Sequence, residues 1–267
     1  MSKISGAIHE IHHMDTLSSR DQWVNQIHPL VKFVLTLVYI SAVVSFHKYD
    51  VAGVAGMAVY PAAVFILADL SFLDSLKRLR LVLPLVCFVG ILNPFLDNNV
   101  ILFQGIPVSA GILSMATLVM KGIFSVLASY LLIATTSVEK LCYAFCLLHI
   151  PRAAVTQFLL TYRYITVLLG EVDRITQAYM LRAPQQKGIH FKAWGSLAGL
   201  LLLRSMDRAN EVYESMLLRG FQGDYQYMRE RISFRFWDIL YFVFWAAVFI
   251  LFRLYPIVLL AGAVFQR

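Results

Sequence analysis

The chain has 267 residues, 59% of them hydrophobic and only 15% charged, where an average soluble domain is about a quarter charged. That balance excludes an ordinary water-soluble globule and predicts an all-α integral membrane protein carrying a polar insert. The net charge of +7 does not indicate nucleic acid: more than half of the Lys and Arg lie between Ser137 and Arg235, interleaved with Asp and Glu, and positive charge beside membrane spans sets topology.

The first stretch, Met1–His28, is polar, has no cleavable-signal pattern and leads straight into an apolar run. His9, His12 and His13 stand close together there, with no obvious fourth ligand, and read as part of a membrane-edge segment. Span one is predicted over Pro29–Phe46, with proline at a first-turn position where its missing N–H costs nothing. After the polar turn 47–50, span two covers Val51–Ala68; Gly53 and Gly56 would permit close helix approach and Pro61 would bend it. A short amphipathic stretch, Asp69–Arg80, ends in Lys77, Arg78 and Arg80. Span three, Leu81–Leu96, carries Pro84 and Asn93-Pro94 and should be kinked. Asp97–Ala110 reads as a loop without Lys or Arg, and span four covers Ile112–Thr136, with Lys121 within snorkelling reach of its outer end. Lys77, Arg78 and Arg80 then belong in the cytoplasm and Asp97–Ala110 outside, which puts the N-terminus and the insert inside.

The insert, residues 137–235, divides at Pro151 and at the turn 184–188. Ser137–His149 opens with an N-cap serine and the acidic first-turn Glu139, and predicts a short helix at the membrane edge. Cys142 and Cys146 lie one turn apart on it; with Cys87 they make an odd count, have no structural-zinc spacing and read as small buried hydrophobes. From Pro151 a helix runs to Arg182, about 45–50 Å long. Val155, Phe158, Tyr162, Ile165, Leu169, Val172 and Tyr179 form one apolar stripe along it. The third helix, Phe191–Arg219, carries the small-residue pair Gly195 and Gly199, suited to a close helix crossing or a subunit interface. Its second half is charged, with i,i+3 pairs Arg204–Asp207 and Arg208–Glu211 worth tenths of a kcal/mol.

Both long helices end in similar sequences, Leu181-Arg182-Ala183 and Leu218-Arg219-Gly220. A terminal cation complements the helix dipole and Gly220 suits a left-handed cap. An arginine at an exposed tip also suits a partner's groove, because its planar fork holds carboxylates or carbonyls bidentately. Both readings stand on the residues alone.

Beyond the insert, span five covers Phe236–Phe252, and the run 255–265 is short for a sixth crossing. The domain plan is therefore 1–136 (N-terminal segment and four spans), 137–235 (cytoplasmic helices) and 236–267 (C-terminal transmembrane region).

The chain resembles the transmembrane T component of energy-coupling factor (ECF) transporters, the CbiQ-like family. The resemblance runs along nearly the whole length. It lies in Asp15, Asp21-Gln22 and Ile27-His28-Pro29-Leu30-Val31-Lys32, then Lys77-Arg78-Leu79-Arg80. Glu139-Lys140-Leu141, Ile150-Pro151, Leu160-Thr161-Tyr162-Arg163-Tyr164-Ile165 and the two arginine endings continue it. It implies a multi-pass cell-membrane scaffold that joins two cytosolic ATP-binding subunits to a small substrate-capture membrane subunit. Two long crossed coupling helices would engage the ATPases through Leu181, Arg182, Ala183, Leu218, Arg219 and Gly220. Gly195, Gly199, Tyr162, Ile165 and Leu169 would serve the crossing or the capture-subunit face. Neither ending has alanine before its arginine, and Ala183 stands where the family has glycine. Neither catalytic residue, metal nor cofactor is expected, and the lack of a phosphate-binding Gly-x-x-x-x-Gly-Lys-Ser/Thr loop fits a passive coupler. The His-Pro-Leu-Val-Lys motif tilts the substrate toward cobalt or nickel over a vitamin.

Two rival classes remain. A membrane-embedded enzyme needs converging groups, and the available His149, Asp69, Asp74 and Glu139 are scattered. A self-contained secondary transporter needs polar midplane residues and paired broken halves, and no internal repeat accompanies Pro61 and Pro84.

Overall fold

The computed structural model describes residues 3–20, 22–70, 84, 86–91, 94, 100–103, 106–184, 188–221 and 233–254. In chain order its elements are α1 (Lys3–Ser18), α2 (Trp23–Gln26), α3 (Pro29–Ser45), α4 (Val51–Gly56), α5 (Val59–Leu67), β1 (Val100–Phe103), β2 (Ile106–Ser109), α6 (Ala110–Thr135), α7 (Val138–Leu147), α8 (Arg152–Arg182), α9 (Phe191–Leu218) and α10 (Phe236–Leu254). Residues 86–91 are also helical. The protein is an all-helical membrane protein apart from one hairpin. α6 and α10 are each long and apolar enough to cross a bilayer, while α3 and the run Val51–Leu67 are shorter apolar helices. Lys77, Arg78, Arg80, Asp74, Asn93 and the run 255–265 lie outside the described residues.

Contacts divide the chain into two compact units, Met1–Leu17 with Val138–Arg231, and Ser18–Ser137 with Ile232–Arg267. The second holds the apolar helices. Span two, expected as one bent helix, is two pieces broken at Met57 and Ala58. Pro61 explains the break, because it has no N–H to give the Met57 carbonyl four residues back. The Tyr39 hydroxyl donates to that freed oxygen at 3.0 Å, so it is not left unsatisfied in an apolar interior. The nearest neighbours of Gly53 are local: a Cβ there would meet Asp50 Oδ2 and, at 2.7 Å, the Phe46 ring, both from the turn that caps α4. Asp50 is that cap, accepting the Gly53 N–H at 2.8 Å.

An aromatic knot holds α3, α5 and α10 together. Tyr39 and Tyr60 rings lie 4.7 Å apart, Tyr60 meets Trp245 edge-on at 4.9 Å, and Phe249 sits 5.2 Å from Tyr39. Such pairs are worth about 0.5–1.5 kcal/mol each beyond area burial. On α6, Thr117 and Thr135 donate back to the carbonyls of Leu113 and Leu131 at 2.8 Å, which hides their hydroxyls within the helix. Gly122 lets the helical residues 86–91 approach α6: a Cβ on it would come within 3.0 Å of Val86 Cγ1.

The segment expected as a plain loop instead contains β1 and β2, antiparallel with Phe103 opposite Ile106. The pairing leaves only Gln104 and Gly105 to connect them. β-branched and aromatic residues flanking a two-residue link ending in glycine are a hairpin signal.

Candidate functional site

The first unit is built around α8. α7 opens after Ser137 and closes in a left-handed turn. His149 takes φ 61°, the Ile150 N–H donates to the Phe145 carbonyl at 3.2 Å, and the His149 N–H donates to Cys146 at 3.2 Å. That paired pattern is a Schellman stop, and Pro151 then caps α8. α7 packs on the start of α8 through buried Cys142, Val155 and Leu159, with Val138 and Phe145 against them. Burial first, then Cys146 and Glu139, pushes the Cys142 thiol up to about 11. Cys142 is therefore the small buried hydrophobe expected, but its neighbour Cys146 is exposed.

α1 is tied to α8 by Tyr162, whose hydroxyl donates to Asp15 Oδ1 at 2.8 Å. Burial and then that carboxylate raise the Tyr162 phenol above its ordinary range. α8 and α9 are joined across by the Arg204–Glu171 ion pair, with Arg174 also 3.5 Å from Glu171. At the turn, the His190 N–H donates to the Tyr179 hydroxyl at 3.4 Å, and His190 Nδ1 caps α9 by accepting the Lys192 N–H. Of the expected i,i+3 pairs, Arg208–Glu211 forms at 3.2 Å. Arg204 reaches across to α8, because a partner carboxylate on the facing helix is available there.

The two helix tips present the same pair of side chains with different backbones. Leu181 is 83% and Leu218 90% exposed, and Arg182 and Arg219 beside them are exposed too. Neither guanidinium has a hydrogen-bond or ion-pair partner among the described residues. α9 ends in a Schellman motif: Gly220 takes φ 81°, the Phe221 N–H donates to Met216 at 3.0 Å and the Gly220 N–H donates to Leu217 at 2.9 Å. α8 ends without one. Ala183 stays at φ −131°, its N–H donating to Tyr179 at 3.1 Å, and Pro184 follows. Ala183 in place of glycine accounts for the difference, since a Cβ disfavours the left-handed conformation.

The apolar stripe on α8 is only partly covered. Within this unit Val155, Leu159 and Ile175 are buried, while Phe158 and Ile165 are exposed and Leu169 is half-exposed. α9 buries no residue at all, and Phe191, Trp194, Leu202 and Leu203 are exposed. A Cβ on Gly195 or Gly199 would meet nothing within 4 Å. The α8–α9 contact within the chain therefore includes Glu171 and Arg204, and among the described residues none lies over the glycine pair.

The described residues that an enzyme reading would recruit, His149, Asp69 and Glu139, sit at helix ends. Asp69 takes φ 45° and terminates α5 as His149 terminates α7, with the Leu70 N–H donating to Phe65 at 3.2 Å. Glu139 is an exposed first-turn acid of α7. Among the described residues no group of three or more His, Cys, Asp or Glu could hold a metal ion.

Sequence reasoning missed a polar clasp in the second unit. Asp238 is 3% exposed and accepts two backbone N–H groups, from Arg235 at 2.8 Å and from His28 at 3.0 Å. The His28 ring stacks on Phe234 at 3.8 Å. Nearby in the same unit, buried Lys32 donates to the Thr135 carbonyl at 2.8 Å, a cation on the C-terminus of α6. A lone acid in the first turn of an otherwise apolar helix was the available signal, but its partner lies 210 positions away.

Residues 20–229 match the model of the CbiQ family, described as cobalt transport protein. No curated protein matches the chain.

Proposed function

The chain belongs to the CbiQ family of cobalt transport proteins, and from that premise we propose that it is the transmembrane coupling component of an ECF-type importer for cobalt or nickel. It does no chemistry itself. Two cytosolic ATP-binding subunits receive Leu181-Arg182-Ala183 and Leu218-Arg219-Gly220 in surface grooves, and ATP-driven closure of the pair moves the two tips. α8 and α9 carry that motion to the membrane spans and to a small substrate-capture subunit. The membrane protein is multi-pass, with its N-terminus and coupling helices in the cytoplasm.

The observation that carries the reading is the matched pair of tips. A solvent-bare leucine next to an arginine with no partner among the described residues recurs at the ends of two long helices, and a shared docking role accounts for the repetition. Arginine suits such a contact because its guanidinium makes several directed hydrogen bonds at once. The exposed apolar side chains of α9 around Gly195 and Gly199 are the face available to the capture subunit, where the small residues allow close approach. Selectivity for the metal belongs to that subunit.

The test is Arg182→Ala with Arg219→Ala in the full complex. The expected result is a membrane-inserted protein that loses the ATP-binding subunits on co-purification, with cobalt uptake abolished. Normal co-purification together with normal uptake overturns the proposal.

A further inference from the structure

The membrane unit holds a second cationic cluster that the coupling role leaves unused. Lys121 on α6 does not snorkel freely: its Nζ donates to the carbonyls of Val44 at 3.1 Å and Phe46 at 2.5 Å, at the C-terminal end of α3. Arg253 on α10 donates to the Ser45 carbonyl at 3.0 Å and to its hydroxyl at 3.3 Å, and its guanidinium lies 4.8 Å from the centre of the Phe46 ring. Two cations from different helices thus converge on three consecutive carbonyls, close enough to repel each other. Among the described residues Asp50 is near enough to attract Lys121, and it also accepts the Gly53 N–H.

Depth follows from the helix ends. The His28–Asp238 and Lys32–Thr135 contacts put Pro29, Thr135 and Phe236 at one end of the bundle. At 1.5 Å per residue, Lys121 and Arg253 lie about 21 and 26 Å from that end, near the far edge of a hydrocarbon core about 30 Å thick. Val44, Ile250, Leu251 and Leu254 are exposed around them. Among the described residues two cations stand against one carboxylate at that depth, ringed by apolar side chains, which suits an anion that itself has an apolar body.

We infer that Lys121 and Arg253 form a binding site for the phosphate of an anionic phospholipid, whose acyl chains lie along the exposed rim of α3 and α10. Lysine has a third N–H and arginine further donors beyond the carbonyl contacts, so both can cap α3 and hold a phosphate oxygen. The inference rests on the membrane-spanning reading but not on coupling to ATP-binding subunits.

The test uses the full-length protein in nanodiscs of phosphatidylcholine with and without phosphatidylglycerol, and native mass spectrometry to count retained lipid. Wild type should keep phosphatidylglycerol preferentially. Lys121→Gln with Arg253→Gln should weaken that retention about thirtyfold, from roughly a fivefold loss per cation near the surface. Arg253→Lys should retain most of it. Because Lys121 also caps α3, each variant is compared by its melting temperature with and without the anionic lipid: the lipid-dependent rise should vanish in the double variant and survive in Arg253→Lys. Equal lipid-dependent rises in wild type and double variant overturn the site. So does an equal rise from soluble inorganic phosphate, which would make it an ion site, or loss of lipid preference only when a protein partner co-purifies. Failure of the chain to enter nanodiscs overturns the membrane reading and the site with it, whereas normal insertion without preference overturns the site alone.

Discussion

Removing the Asp238 carboxylate should destabilise the membrane unit more than any single exposed charge could. In Asp238→Ala the His28 N–H loses its 3.0 Å acceptor inside a residue that is 1% exposed, where no water replaces it. An unsatisfied buried N–H costs about 1–3 kcal/mol. The Arg235 N–H also loses its 2.8 Å acceptor, but Arg235 is exposed and rehydrates, so that loss is a capping term of about 0.5–1 kcal/mol. The sum is roughly 2–4 kcal/mol. At about 2–4 °C per kcal/mol for chains near this size, the melting temperature should fall by about 5–15 °C. Asp238→Asn keeps an acceptor oxygen for one of the two donors and should lose about half as much. The assay is thermal unfolding of detergent-purified protein followed by loss of the monodisperse elution peak. An alanine variant within about 2 °C of wild type, or an asparagine variant worse than alanine, refutes the account of Asp238 as a clasp between α3 and α10.

The remaining predictions concern the helices outside the membrane. At pH 8 a maleimide should modify Cys146 rapidly and Cys142 slowly, because burial holds the Cys142 thiol up to about 11; a Cys146→Ser variant should react with slow kinetics, measured by mass shift. Since the folded value is raised, the stability it contributes is complete below about 9 and is lost as pH rises from there through about 11. Gly220→Ala places a Cβ at φ 81°. It should cost about 1 kcal/mol locally, from the strain of a left-handed non-glycine residue, and speed hydrogen exchange over Met216–Phe221, while Ala183→Gly leaves exchange at its own tip slow. Equal exchange in Gly220→Ala and wild type contradicts the Schellman assignment.

Much of the architecture was readable because membrane spans and helix stops are local signals. Pro29 and Pro151 mark the starts of α3 and α8, Arg182 and Arg219 mark the last turns, and Gly220 marks a left-handed stop, each for reasons confined to a few neighbouring residues. Local reasoning failed where a side chain's partner was remote. Arg204 had an acceptable partner in Asp207, yet pairs with Glu171 on the facing helix. The spacing of Gly195 and Gly199 suits a crossing or a subunit interface, and among the described residues nothing lies within 4 Å of a Cβ at either. The hairpin at Val100–Ser109 is legible as two short apolar runs on either side of Gln104-Gly105.

By itself the sequence determined a helical membrane protein, two long polar-faced helices with arginine at their tips, and the family to which it belongs. Those follow from composition, period and short motifs, which act over a turn or two of chain. Only the tertiary structure decided that both tip arginines lack a partner among the described residues, and that Tyr39 repairs the carbonyl freed by Pro61. It alone paired Asp238 with His28, and Lys121 and Arg253 with the end of α3. The physical reason is the same each time. A buried polar group must find a partner in space, and the residue that satisfies it is chosen by packing, not by distance along the chain.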